Sequence, residues 1–241
     1  MKNILIIILL LGASFTSISQ AQVVRNTAEA VTNKKAIALG KEQLEKDIVQ
    51  LSGFKTKVAA FKLAFHNKQS KELIALQKDI VTDMEREVEQ SERKIAQDRK
   101  ELTQSASEKN SSTREVRSSR RDRVNGNLGG RRDLRDDRRD KRDDQRDLMD
   151  DQGDLKNQVA RTNRQKQILN TLNAYIFSLE ASAKEKAIAN MKLMDEFIKT
   201  MEADITETKA ELAEDKTEQR EDRRERREDR RERSLRRPYG N

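Results

Sequence analysis

From Ile37 to Leu102 the apolar side chains return at helical spacing: Ile37, Leu44, Ile48, Leu51, Val58, Phe61, Phe65, Leu73, Leu76, Ile80, Met84, Val88, Ile95 and Leu102. Steps of three and four keep these side chains on one side of an α-helix, whereas a half-buried strand would need a step of two. A second stripe runs through Ile168, Leu172, Ile176, Leu179, Met191, Met194, Ile198, Met201, Ile205 and Leu212. Neither stretch contains proline, and each stripe is narrow, as in a seam between two or three helices. The fold class expected is all-α: long amphipathic helices forming an elongated antiparallel hairpin or coiled coil.

Within the first stripe Leu73, Met84 and Ile95 are eleven residues apart, a spacing that leaves paired helices nearly straight. Residues 76–101 also align without gaps to residues 193–218, matching Leu76 with Leu193, Met84 with Met201, Val88 with Ile205 and Asp98 with Asp215. Each copy leads into an Arg-rich segment, so the chain reads as a degenerate duplication.

Composition narrows the alternatives. Charged residues make up 39% of the chain and aromatics 3%, with no tryptophan and no cysteine, so a thick apolar core, disulfides, thiol catalysis and thiolate metal sites are excluded. Helices held by narrow seams or by a partner remain, with disorder the other outcome of such a composition.

The chain divides at its composition shifts. Residues 1–21 have the layout of a secretory signal peptide: Lys2, an apolar core from Ile4 to Ala13, and the small-x-small end Ser19-Gln20-Ala21. That core is too short to span a bilayer, so the mature chain is expected to begin near Gln22, with no transmembrane span, in the periplasm or outside the cell. A first helical arm follows over 22–122, with a break at Ser52-Gly53. Residues 123–130, "RVNGNLGG", supply positive-φ positions and a hairpin turn. An Arg/Asp-rich segment covers 131–152, a second helical arm covers 153–219 with a lesser break at Gly153, and an Arg/Glu-rich extension covers 220–241. The turn glycines lack the Lys-Ser/Thr and the preceding strand of a phosphate loop.

The two charged runs pose the functional question. In residues 131–147 eight basic side chains stand against seven acidic ones. Wound as a helix, the run gathers its Asp side chains on one side and its Arg side chains on the other, and 220–237 does the same with Glu and Arg. As a coil it would be a solvated polyampholyte, because Asp is a poor helix former. The interaction residues this singles out are Arg135, Asp136, Arg139, Asp140, Arg142 and Asp143 in the central run, and Arg223, Arg227, Arg230 and Arg231 in the terminal one. A stripe of one sign repels within its own helix and suits pairing with a second striped helix, within or between chains.

Catalysis is poorly provided for. His66 stands without a second histidine, and the carboxylates lie among Arg and Lys with no apolar pocket to raise a pKa toward neutrality. No enzyme, cofactor or metal is expected. The leading expectation is an exported structural or scaffolding coiled coil of the cell envelope, partnered by itself or by another envelope protein. A second is a chaperone-like clamp. In size, leader, basic charge and helical hairpins the chain is similar to the Skp family of holdase chaperones, which implies gripping unfolded outer-membrane proteins between basic arms, although the internal repeat and the Asp-rich run are not part of that family. A third is a weak binder of anionic polymer or acidic lipid surfaces. Nucleic acid is the less expected ligand, since acid and base are interleaved and aromatic stacking platforms are missing.

Overall fold

The computed structural model describes the backbone of residues 18–124 and 130–236, and the side chains of all of these except 18–33, 36, 130–133, 218, 221–222, 225–226 and 228–236. Among the described residues the chain is helical with no strand: α1 (Ile18–His66), α2 (Ser70–Val124), α3 (Gly130–Asn173) and α4 (Lys184–Arg236), with one 3-10 turn at Ala181–Ala183. Most of the expected leader (residues 1–17) and the centre of the expected Gly/Asn turn (residues 125–129) lie outside the described residues. No described helix is long and apolar enough to cross a membrane.

Two of the breaks between helices fall where no glycine or proline marks the sequence. The breaks expected at Ser52-Gly53 and Gly153 do not occur: α1 runs through Gly53 and α3 through Gly153. A glycine costs about 1 kcal/mol in a helix interior, and the buried Phe54 beside Gly53 offsets it. The first break falls instead at 67–69. There the amide of Gln69 donates to Ala64 O (2.9 Å), that of Lys68 donates to Phe65 O (3.2 Å), and Lys68 takes φ 58°. This is a helix end with a left-handed residue closing two orphan carbonyls, and that residue is normally glycine. Because the left-handed region strains an L side chain by roughly 1–2 kcal/mol, Lys68→Gly is expected to stabilise the protein by about 1 kcal/mol, read as a higher urea midpoint at unchanged slope.

The second break covers residues 174–183. Phe177 folds back into the core and meets Phe61 edge-on, centroids 4.7 Å apart, while Tyr175 meets Phe177 at the same distance. Gln77 Nε2 donates to Tyr175 O (2.6 Å), just past the end of α3, and to Leu172 O (3.3 Å), which also accepts from the Tyr175 amide (3.4 Å).

The chain forms two compact units, residues 48–204 and residues 1–47 with 205–241. In the first, the end of α1, α2, α3 and the start of α4 make an antiparallel four-helix bundle. The directions follow from the cross-helix pairs: Lys55–Glu202 and Lys62–Asp195 join α1 to α4, Ser91–Gln165 and Ser105–Asp151 join α2 to α3, and Arg161–Asp204 joins α3 to α4. The core contains Phe54, Val58 and Phe61 from α1, Leu73, Ile80, Met84 and Val88 from α2, Ile168 and Leu172 from α3, and Ala187, Met194, Phe197 and Met201 from α4. Most of both stripes is thus consumed within one chain, while Ile48 and Ile176 stay exposed. In the second unit Gly40 lets α1 approach α4 closely, since a Cβ there would lie 2.8 Å from Leu212 Cδ2.

Beyond the bundle α2 and α3 continue as a two-helix arm. Its repeat is seven residues, not eleven. Ser91, Asp98, Ser105, Ser112 and Ser119 follow one another along α2, and Asp137, Asp144, Asp151, Gln158 and Gln165 along α3. With 55 residues, α2 is about 80 Å long at 1.5 Å per residue.

Candidate functional site: a polar ladder in the helical seam

Where a coiled coil ordinarily sets apolar side chains, the α2/α3 seam sets hydroxyls against carboxylates and amides. Ser119 Oγ donates to Asp137, Ser105 Oγ donates to Asp151, and Ser91 Oγ donates to Gln165 Oε1 at 2.9 Å. Small serines let the two backbones come close, and each hydroxyl satisfies a carboxylate or amide turned inward. Leu134 and Leu148 fill the intervening buried positions of α3.

Toward the bundle the ladder becomes a buried network across three helices. Arg161 donates from Nε to Asp204 Oδ1 (2.8 Å) and from Nη2 to Gln158 Oε1 (2.6 Å). Gln165 Nε2 donates to Asp204 Oδ2 (3.0 Å) and Thr200 Oγ1 (3.2 Å). Gln158, Thr162 and Gln165 are fully buried. Burial raises the pKa of Asp204, and Arg161, Gln165 and Lys94 pull it back by charge or hydrogen bond. A buried charge held this way fixes how the helices align, because any slip leaves it unpaired. Around the bundle, Lys57 reaches Asp83 (2.5 Å) and Arg164 grips both oxygens of Glu196 (2.6 and 2.7 Å), whose carboxyl is held below its ordinary value chiefly by that hydrogen bond.

The residues singled out from the central run lie on the helical start of α3. Arg135, Asp136, Arg139, Asp140 and Arg142 are exposed; Asp143 is half-buried and takes Arg139 (4.0 Å) and Arg146 (3.4 Å) from its own helix. Burial, followed by the neighbouring Asp137, Asp144, Asp136 and Asp143, raises the pKa of Asp140. Arg223 and Arg227 are exposed on α4, where Arg223 donates to Gln219 Oε1 (3.2 Å). The side chains of Arg230 and Arg231 lie outside the described residues. The carboxylates Asp137 and Asp151 find their partners in α2 serines, not in an arginine stripe.

The network of Arg161, Asp204, Gln165 and Ser91 was missed by sequence reasoning. Its signal was present: Gln158, Thr162 and Gln165 occupy the steps of four and three that Leu148, Leu155, Leu169 and Leu172 occupy on either side. Among the described residues no group of metal-ligating side chains is close enough together to hold an ion. Compared with protein-family models, curated proteins and solved structures, the chain finds no match.

Proposed function

We propose that this is a non-enzymatic, exported scaffold of the cell envelope, in which a four-helix body holds a charged two-helix arm and the protein associates with further copies of itself. The observation that carries this reading is the arm. Its seam is closed by serine and carboxylate side chains, its faces are charged, and among the described residues Met149 and Val124 are its large exposed apolar side chains. An arm so built extends reach and presents charge. It offers little apolar surface for gripping unfolded chains, which favours a scaffold over a clamp.

Because the apolar seams are filled within the chain, association falls to the charged helices and to the apolar side chains left exposed near the bundle's connections, Leu63, Ile74, Ile176 and Ile188. Light scattering is expected to find an oligomer at low ionic strength that loosens near ~1 M salt, where exposed charge pairs are screened within about 3 Å. Deleting residues 220–237 should cause the same loosening at low salt. A monomer at every ionic strength, unchanged by the truncation, would remove the self-association. If that monomer kept an unfolded membrane protein from aggregating, the clamp reading would replace the scaffold.

A further inference from the structure

The seam takes in part of the arm's negative charge. Asp137 and Asp151 turn inward to serines, whereas Arg114, Arg117, Arg120 and Arg121 on α2 and Arg135 and Arg138 on α3 are exposed. None of these six guanidiniums forms an ion pair with a described carboxylate. On α2 they recur at steps of three and four, so they share a face. Glu115, Asp122, Asp136 and Asp140 are exposed beside them, so the outer arm presents to solvent an excess of positive over negative charge.

We propose that the outer part of the α2/α3 arm docks on an anionic phospholipid surface, its arginines engaging headgroup phosphates. The inference rests on the envelope reading above but not on self-association. Arginine is used almost to the exclusion of lysine here, and its planar fork matches a phosphate with two parallel hydrogen bonds. Val124, at the described end of α2, is 80% exposed and apolar, which suits the boundary between headgroups and acyl chains better than a nucleic-acid backbone. From Asp98 to Leu155 the sequence holds no aromatic residue on which an unpaired base could stack. With no described helix able to span the bilayer, the contact would be peripheral and salt-sensitive.

The test is co-flotation of the full chain with vesicles of phosphatidylcholine alone or mixed with phosphatidylglycerol. Binding is expected to the mixed vesicles only, and to disappear near ~1 M salt. Replacing Arg114, Arg117, Arg120 and Arg121 together by glutamine should weaken it roughly a hundred-fold or more, with helix content by circular dichroism unchanged. Neutralising four exposed lysines of the bundle, Lys184, Lys186, Lys192 and Lys199, should leave it intact. Equal loss from both sets, binding to neutral vesicles, or tight binding to duplex DNA without binding to vesicles would each overturn the proposal. A monomer that floats with the vesicles would remove only self-association, and an oligomer that does not would remove only the docking.

Discussion

Arg161→Met is expected to destabilise the four-helix bundle by about 3–5 kcal/mol, the cost of breaking a buried ion pair from one side. The carboxylate of Asp204 would keep Gln165 but lose the guanidinium at 2.8 Å, in a site where both partners are largely shielded from water. Gln158 Oε1 would lose its donor as well. For a unit of this size the loss corresponds to a melting temperature lower by roughly 10 °C. The pH dependence identifies the cause. Burial already raises the pKa of Asp204, and removing Arg161 removes the first of the charges opposing that rise. A group whose folded pKa is raised weakens the fold while it is ionised, and the penalty disappears as pH falls through that pKa. The gap between variant and parent should therefore be widest at neutral pH and should narrow on acidification toward the ordinary carboxylate range. A double variant, Arg161→Met with Asp204→Leu, should recover much of the stability. A gap independent of pH, or a double variant worse than the single one, would mean that packing by the Arg161 side chain matters more than its charge.

Phe197→Ala is expected to cost a comparable 3–5 kcal/mol by a different mechanism. Phe197 is fully buried, its ring lies 5.5 Å from that of Phe54, and it sits in one core with Met194 and Met201. Removing the ring loses its transfer free energy and leaves a void that two helices bearing salt bridges on their outer faces cannot readily close. Urea unfolding should show a lower midpoint, and at any pH the deficit should stay nearly constant, in contrast to Arg161→Met. A loss under 1 kcal/mol would show that the bundle collapses around the site, with the methionines filling the gap.

The two internal copies meet a partial structural counterpart. Their matched pairs Met84 with Met201 and Val88 with Ile205 are buried in α2 and α4, as are Ile80 and Phe197 at the corresponding place between them. The register of the seam was written in the sequence too, but in polar letters. Ser91, Asp98, Ser105, Ser112 and Ser119 are as regular as any leucine repeat, and a search for apolar periodicity passes over them. The eleven-residue spacing of Leu73, Met84 and Ile95 was the more conspicuous pattern, yet the helices pack on the step of seven.

Helix as the only regular structure of the described residues followed from the sequence alone, since apolar steps of three and four without internal proline leave the backbone few alternatives. The central Arg/Asp run also proved helical, a point on which its composition was divided. Tertiary structure alone decided where α1 and α3 end and what the stripes pack against. At Lys68 and at Phe177 the chain turns without glycine or proline, because burying Phe61, Phe177 and Leu73 in a common core outweighs a strained left-handed residue and several lost helical hydrogen bonds. The destination of the aspartates was equally out of reach. A carboxylate will accept a hydrogen bond from arginine or serine alike, and only the antiparallel register of α2 against α3 places Ser105 and Ser119, with no arginine, within reach of Asp151 and Asp137.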